Sequence, residues 1–190
     1  HHYVSSALAE KLGIGSHKIA VNLLPMSLVN VPGAVEFLVD QIKKHGLQPE
    51  QVVIEVTENE MISGLNQFNS AIKQLRGEGI GLAIDDFGTG NSSLSWLEML
   101  HPDILKIDKS FTSAIGTDAV NSAVTDIIIA LGQRLNIELV AEGVETQAQA
   151  LYLQQHGVHL LQGYLYAQPM PLEAFPEWLA THNKLNSQIS

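Results

Sequence analysis

The 190 residues, 45% of them hydrophobic, are enough for one domain, residues 1–190, with a sizeable core. A formal net charge of −10 excludes a surface built to coat nucleic acid, and no run of Lys or Arg marks an anionic-membrane patch. Zero cysteines excludes a thiolate zinc site and fits a reducing compartment, while the longest apolar stretch, around Ile127 to Leu131, is too short to span a bilayer.

In chain order, His1 and His2 read as the remnant of an affinity tag, and HHYVSSALAEKLGIG reads as a helix. The first apolar run is KIAVN, Lys18 to Asn22, followed by helical periodicity from Val35 to Lys44. VVIEV (Val52 to Val56) precedes a helical segment from Asn66 to Leu75, and GLAID (Gly81 to Asp85) leads into the glycine-rich turn DDFGTG. DILKI (Asp103 to Ile107) is followed by a helix from Val120 to Leu135, ELVAE (Glu138 to Glu142) by one from Gln147 to His156. HLLQG (His159 to Gly163) is the last run, His156 and His159 are surface or helix-capping residues, and the tail KLNSQIS, residues 184–190, is expected to fray.

Strand alternating with helix is the grammar of a parallel sheet, and nearly all-apolar strands are those covered on both faces. Each run ends in a polar or charged residue: Asn22, Glu55, Asp85, Lys106, Glu142 and Gln162. Active sites of parallel folds lie beyond the carboxyl ends of strands, so these six side chains are expected to share one site. An isolated Asp85–Asp86 pair is explained by a turn capping the next helix; acids recurring at several strand ends are better explained by metal. An open dinucleotide-binding sheet wants a glycine fingerprint after its first strand, and KIAVNLLPMS has none. A barrel is therefore expected, although about six strands fall short of the eight that close one, as if two strand-helix units were missing before Tyr3.

The segments AVNLL, VIEVTEN, AIDDFGTGNSSL, LKIDKSF, VAEGVET and QGYLYAQP, in this order, resemble the EAL phosphodiesterase family, which hydrolyses the bacterial second messenger cyclic di-GMP. The resemblance spans Lys18 to Pro171 and implies an α/β fold, a TIM-like (β/α) barrel of the EAL type with one antiparallel strand, lacking here its first one or two strand-helix units. It implies that Asn22, Glu55 and Asp85 bind one metal and that Asp85 bridges to a second site with Asp86, near which Glu142 lies. It further implies that Lys106 orients the attacking water and Glu142 takes part in catalysis. Gln162 and Glu145 would meet substrate, and Glu58 would anchor the glycine-rich loop. The Glu-Ala-Leu motif that names the family does not occur before Asn22, nor does the arginine that follows it. Leu24 and Asn91 stand where the family often has serine and tyrosine. Expected partners are cyclic di-GMP, a second copy through Ser93 to Leu100 and Ser110 to Ile115, where Trp96 and Leu97 serve either that contact or barrel packing, and an upstream sensory or GGDEF-type domain. The expected location is cytoplasmic, including the cytoplasmic end of a longer membrane-anchored protein.

The chemistry agrees with these roles. Carboxylates repel a phosphodiester unless divalent cations reverse the local sign. Oxygen donors with one amide suit Mg²⁺ or Mn²⁺, and two ions sharing Asp85 would activate a water for in-line displacement, yielding linear pGpG. Two other functions are compatible with these residues: a degenerate domain that binds cyclic di-GMP or a protein without hydrolysis, and a barrel aldolase using Lys106 as a Schiff-base amine.

Overall fold

The computed structural model describes residues 18–57, 65–89, 94–117 and 119–186. Its centre is a six-stranded sheet, each strand paired in parallel with the next: β1 (Ile19–Asn22), β2 (Val52–Thr57), β3 (Gly81–Phe87), β4 (Ile104–Ile107), β5 (Glu138–Ala141) and β6 (Leu160–Leu161). The connections are helical: α1 (Pro25–Asn30) and α2 (Ala34–Lys44) after β1, α3 (Leu65–Gly77) after β2, and α4 (Leu94–Leu100) after β3. Beyond β4 come α5 (Lys109–Thr112) and α6 (Val120–Leu135), then α7 (Gln147–Gln155) after β5 and α8 (Phe175–Asn186) after β6. This is the sheet of a TIM-like barrel, with β1 and β6 as its two edges among the described residues. No antiparallel pair occurs among those residues.

Successive side chains of a strand point to opposite faces, and the two faces of this sheet carry different chemistry. Ile54, Val56, Leu82, Ile84, Leu105, Ile107, Leu139 and Ala141 face the helices and join the main core. The alternate residues Val53, Ala83 and Ile104, with Val140 against them, form a separate small apolar layer on the other face, the barrel interior. One further step along the same parity toward the carboxyl ends brings Glu55, Asp85, Lys106 and Glu142 to that interior, above an apolar floor. Position along the strand, not local sequence, thus selects acid or aliphatic.

Helices are held to the sheet by single faces. In α2 the buried residues are Val35, Val39 and Ile42, spaced to one stripe, with Glu36 in the first turn and Lys43 and Lys44 in the last, where each charge complements the helix dipole. α7 begins with a capping box in which Thr146 and Gln149 each accept from the other's backbone N–H. His156 caps its C-terminus and stacks on Tyr152, as expected of a capping histidine. α8 runs through Asn186, into the tail expected to fray. No helix among the described residues is long and apolar enough to cross a membrane.

The phenol of Tyr152 donates to the Asp126 carboxylate, tying α7 to α6. That hydrogen bond, reinforced by burial and the Asp126 charge, pushes the phenol up to about 12. Because the folded protein holds this proton more tightly than the unfolded chain, stability is intact below pH ~10 and falls as pH rises through the folded value. Tyr152→Phe should therefore be less stable than wild type at neutral pH, with the gap closing above pH ~10. Denaturant midpoints measured from neutral to strongly alkaline pH check this; a constant gap would refute it.

Candidate active site

Three strand ends converge on the ammonium group of a fourth. Lys106, next to last in β4, is 5% exposed, and its Nζ lies 2.7 Å from Glu142 Oε1, 3.0 Å from Asp85 Oδ2 and 3.1 Å from Glu55 Oε1. These carboxylates come from the ends of β2 and β3 and from the residue after β5. The Glu142 N–H donates to the Ile107 carbonyl at 3.0 Å, which extends the β4–β5 ladder and sets Glu142 beside Lys106. Between Ile84 and Phe87 the β3–β4 register shifts, and this irregularity lets β3 deliver two consecutive acids at its end.

Asp86 adopts a left-handed backbone (φ 55), a conformation Asp tolerates better than most residues. The turn is closed by the Asp86 N–H to Asp85 Oδ1 at 2.9 Å and by the Thr89 hydroxyl to the Asp86 carbonyl at 2.8 Å. Gly88 follows at φ 93, and a Cβ there would press on Phe111 and Ile128 at 3.1 and 3.2 Å. The acidic turn therefore rests on a hydrophobic floor formed by α5 and α6, which has no room for a side chain at Gly88.

Electrostatics divide the cluster. Burial alone would pull the Lys106 ammonium down, but hydrogen bonds with Glu142 and Asp85 and the charges of Glu142 and Glu55 outweigh it, so Lys106 titrates above the ordinary lysine value. Burial holds Glu142 above the usual carboxylate range; Asp85 and Glu55 add to the shift while Lys106 opposes it. Asp86 is likewise raised by burial and by the charges of Asp85 and Asp108, against the opposing charge of Lys106. One ammonium does not neutralise this many acids.

Asp85, Asp86 and Glu142 each offer a carboxylate oxygen, and the three oxygens lie within 4.8 Å of one another. Ligands on one hard divalent ion at roughly 2.0–2.6 Å require such spacing, so the all-oxygen donor set fits a hard divalent cation. Glu55 meets this trio through Lys106. Asn22 is exposed on β1 and pairs in register with Glu55, so both residues face the same side of the sheet. Gln162 is also exposed, its backbone bonded to Ala141 and Val144. Glu145 lies on the rim, paired with Lys109 at 2.5 Å. Glu58 and Asn91 fall outside the described residues. Leu97 is buried and Trp96 partly so, both packed on the core, and Leu24 is exposed.

The sequence reading missed Asp108 and Lys109. Asp108 caps α5 by accepting the Ser110 N–H at 2.9 Å and adds its charge to the field at Asp86. An Asp directly after a strand and two residues before a serine is a capping signal that IDKS carries openly.

Comparison with known proteins agrees with this geometry. Over 131 residues the chain is 68% identical to the Escherichia coli K12 protein named probable cyclic di-GMP phosphodiesterase PdeD, covering 69% of this chain and 24% of that protein. It is 38% identical over 174 residues to the blue light- and temperature-regulated antirepressor BluF of the same strain, covering 90% of this chain and 43% of BluF. Among solved structures, the manganese and cyclic di-GMP complex of Klebsiella pneumoniae BlrP1 matches with a TM-score of 0.79 at 44% identity, over 86% of this chain and 42% of that one. The chain thus spans less than half the length of these relatives. With residues 2–169 matching the family described as EAL domain, and with the acid-lined strand ends of a TIM-like barrel, the chain belongs to the EAL-domain family.

Proposed function

We propose that this chain is the catalytic part of a metal-dependent phosphodiesterase that cuts cyclic di-GMP once, to linear pGpG. The observation that carries this is the convergence of Glu55, Asp85 and Glu142 on Lys106, with Asp85, Asp86 and Glu142 at ion-binding separation. Asn22, Glu55, Asp85, Asp86 and Glu142 would hold the metals. When bound, such divalent ions would supply the positive charge that admits a phosphodiester and would lower the pKa of the attacking water. The residues do the rest. Lys106 Nζ, fixed by three carboxylates, adds a preorganised charge where negative charge grows on the phosphoryl oxygens. Glu142, hydrogen-bonded to Lys106 through Oε1 at 2.7 Å, would keep that ammonium oriented toward the attacking water. Gln162 and Glu145, on the loops beyond β6 and β5, would meet substrate, and Glu58 would anchor the glycine-rich loop.

The similarity to PdeD and to the BlrP1 complex with manganese and cyclic di-GMP supports the substrate and the ion class. A second reading, binding without hydrolysis, draws on the similarity to BluF, which is named an antirepressor. The test is incubation of the full-length protein with cyclic di-GMP and Mg²⁺ or Mn²⁺. Stoichiometric pGpG that disappears on exhaustive chelation is expected. Hydrolysis surviving chelation would sink the metal mechanism, and saturable binding without product would favour the second reading.

A homodimer, a cytoplasmic location and an upstream sensory or GGDEF-type domain belong to the same proposal. An apolar groove of about 530 Å³ between α4 and α6, lined by Leu94, Leu97, Leu131 and Leu135, offers a surface for a second copy. The mass of the protein in solution tests that contact.

A further inference from the structure

We propose that Lys109 is a positioning residue for this reaction, a clasp that fixes the turn carrying Glu142. The inference rests on the phosphodiesterase reading for its consequence, but its geometry stands independently. Lys109 opens α5, three residues beyond Lys106. Its stem crosses over Gly143, which has a left-handed backbone (φ 63) and no space for a Cβ beneath that stem. Beyond the glycine, Nζ reaches Glu145 Oε1 at 2.5 Å and stands 5.8 Å from the centre of the Tyr164 ring, within cation–π range.

Tyr164 belongs to a loop that is itself fastened to the same turn. The Val144 N–H donates to the Gln162 carbonyl at 3.0 Å, and the Leu165 N–H donates to the Val144 carbonyl at 3.0 Å. Gly163 lies so close to the Val144 backbone that no side chain fits there. One lysine therefore joins the loops that follow β4, β5 and β6. Lys106 grips the first acid of the Glu142–Glu145 turn from inside the barrel, and Lys109 grips the last from the rim.

An exposed ion pair contributes little to global stability, and both partners here are half-exposed. The clasp must then act on local opening rather than on unfolding as a whole. A left-handed glycine under the stem and a ring beside the ammonium distinguish it from a solvated surface pair, since three contacts converge on one side chain.

The test uses the full-length protein without added metal and then with Mn²⁺. In Lys109→Ala, amide exchange at Val144 and Leu165 should quicken about threefold to fivefold, the scale of an exposed ion pair, while the global unfolding midpoint stays put. With Mn²⁺ and cyclic di-GMP, kcat should fall by a similar factor at unchanged KM. Lys109→Arg should restore most of both, and salt near 1 M should narrow the difference, because the pair is screened. Glu145→Gln combined with Lys109→Ala should cost no more than either alone. Unchanged exchange at Val144 and Leu165 in Lys109→Ala would overturn the clasp. Faster exchange with undiminished kcat would overturn the positioning role. A wild-type protein that turns nothing over yet shows the exchange difference would fail the phosphodiesterase reading and leave the clasp standing.

Discussion

Asp85→Asn should lower turnover of cyclic di-GMP by ~100-fold or more, the upper range for outer partners of metal sites and a floor for a ligand itself. Glu145→Gln should cost only a few-fold. The difference follows from what each side chain touches. Asp85 pairs with Lys106 at 3.0 Å, accepts the Asp86 N–H at 2.9 Å and belongs to the trio of oxygens within 4.8 Å of one another. Asparagine preserves the shape and the acceptor for the Asp86 N–H but removes the charge on which the Lys106 pair and ion binding depend. Glu145 stands outside the trio, paired with Lys109 on the rim. Rates at saturating Mn²⁺, with circular dichroism to confirm folding, decide the matter. Equal losses in the two variants would count against the bridging role of Asp85.

Much of the scaffold was legible because it is periodic. Each of the six apolar runs is a strand within two residues of its expected ends, and the helix expected from Val120 to Leu135 has those bounds. What escaped notice was short. α1 begins at Pro25 and α5 is set by the Asp108 cap, and neither is long enough to show a hydrophobic stripe. The site was legible as a set of strand-end residues but not as a constellation. That Lys106 is gripped by three acids depends on pleat parity carried across four strands and through the irregularity between Ile84 and Phe87. No local pattern encodes that sum. Nor does composition reveal that Glu145 is engaged by Lys109, since a charge on a loop looks the same whether it faces substrate or a neighbouring ammonium.

Lys106→Met should make stability depend on pH in a specific direction. Methionine fills a similar volume but leaves Glu55, Asp85 and Glu142 without their shared ammonium, and breaking a buried ion pair by removing one partner typically costs about 3–5 kcal/mol. In wild type the folded value of Lys106 is raised, so its contribution is complete at neutral pH and is lost only as pH climbs through that raised value. In the variant Glu142 loses the one charge opposing its upward shift, so it holds its proton to still higher pH. Folding then favours the protonated acid. The variant should approach wild type in acid and fall behind as pH rises through and above the carboxylate range. Mn²⁺ should recover part of the deficit at neutral pH by binding the folded state. Turnover should not recover with it. A preorganised charge beside the phosphoryl oxygens is worth ~100- to 1,000-fold when removed, and saturating metal does not replace it. Unfolding midpoints at acid and neutral pH, with and without Mn²⁺, and kcat at saturating metal measure these effects separately. A variant with wild-type stability at neutral pH would mean that the three acids do not depend on Lys106. Turnover restored by metal alone would mean that its charge serves the fold and not the reaction.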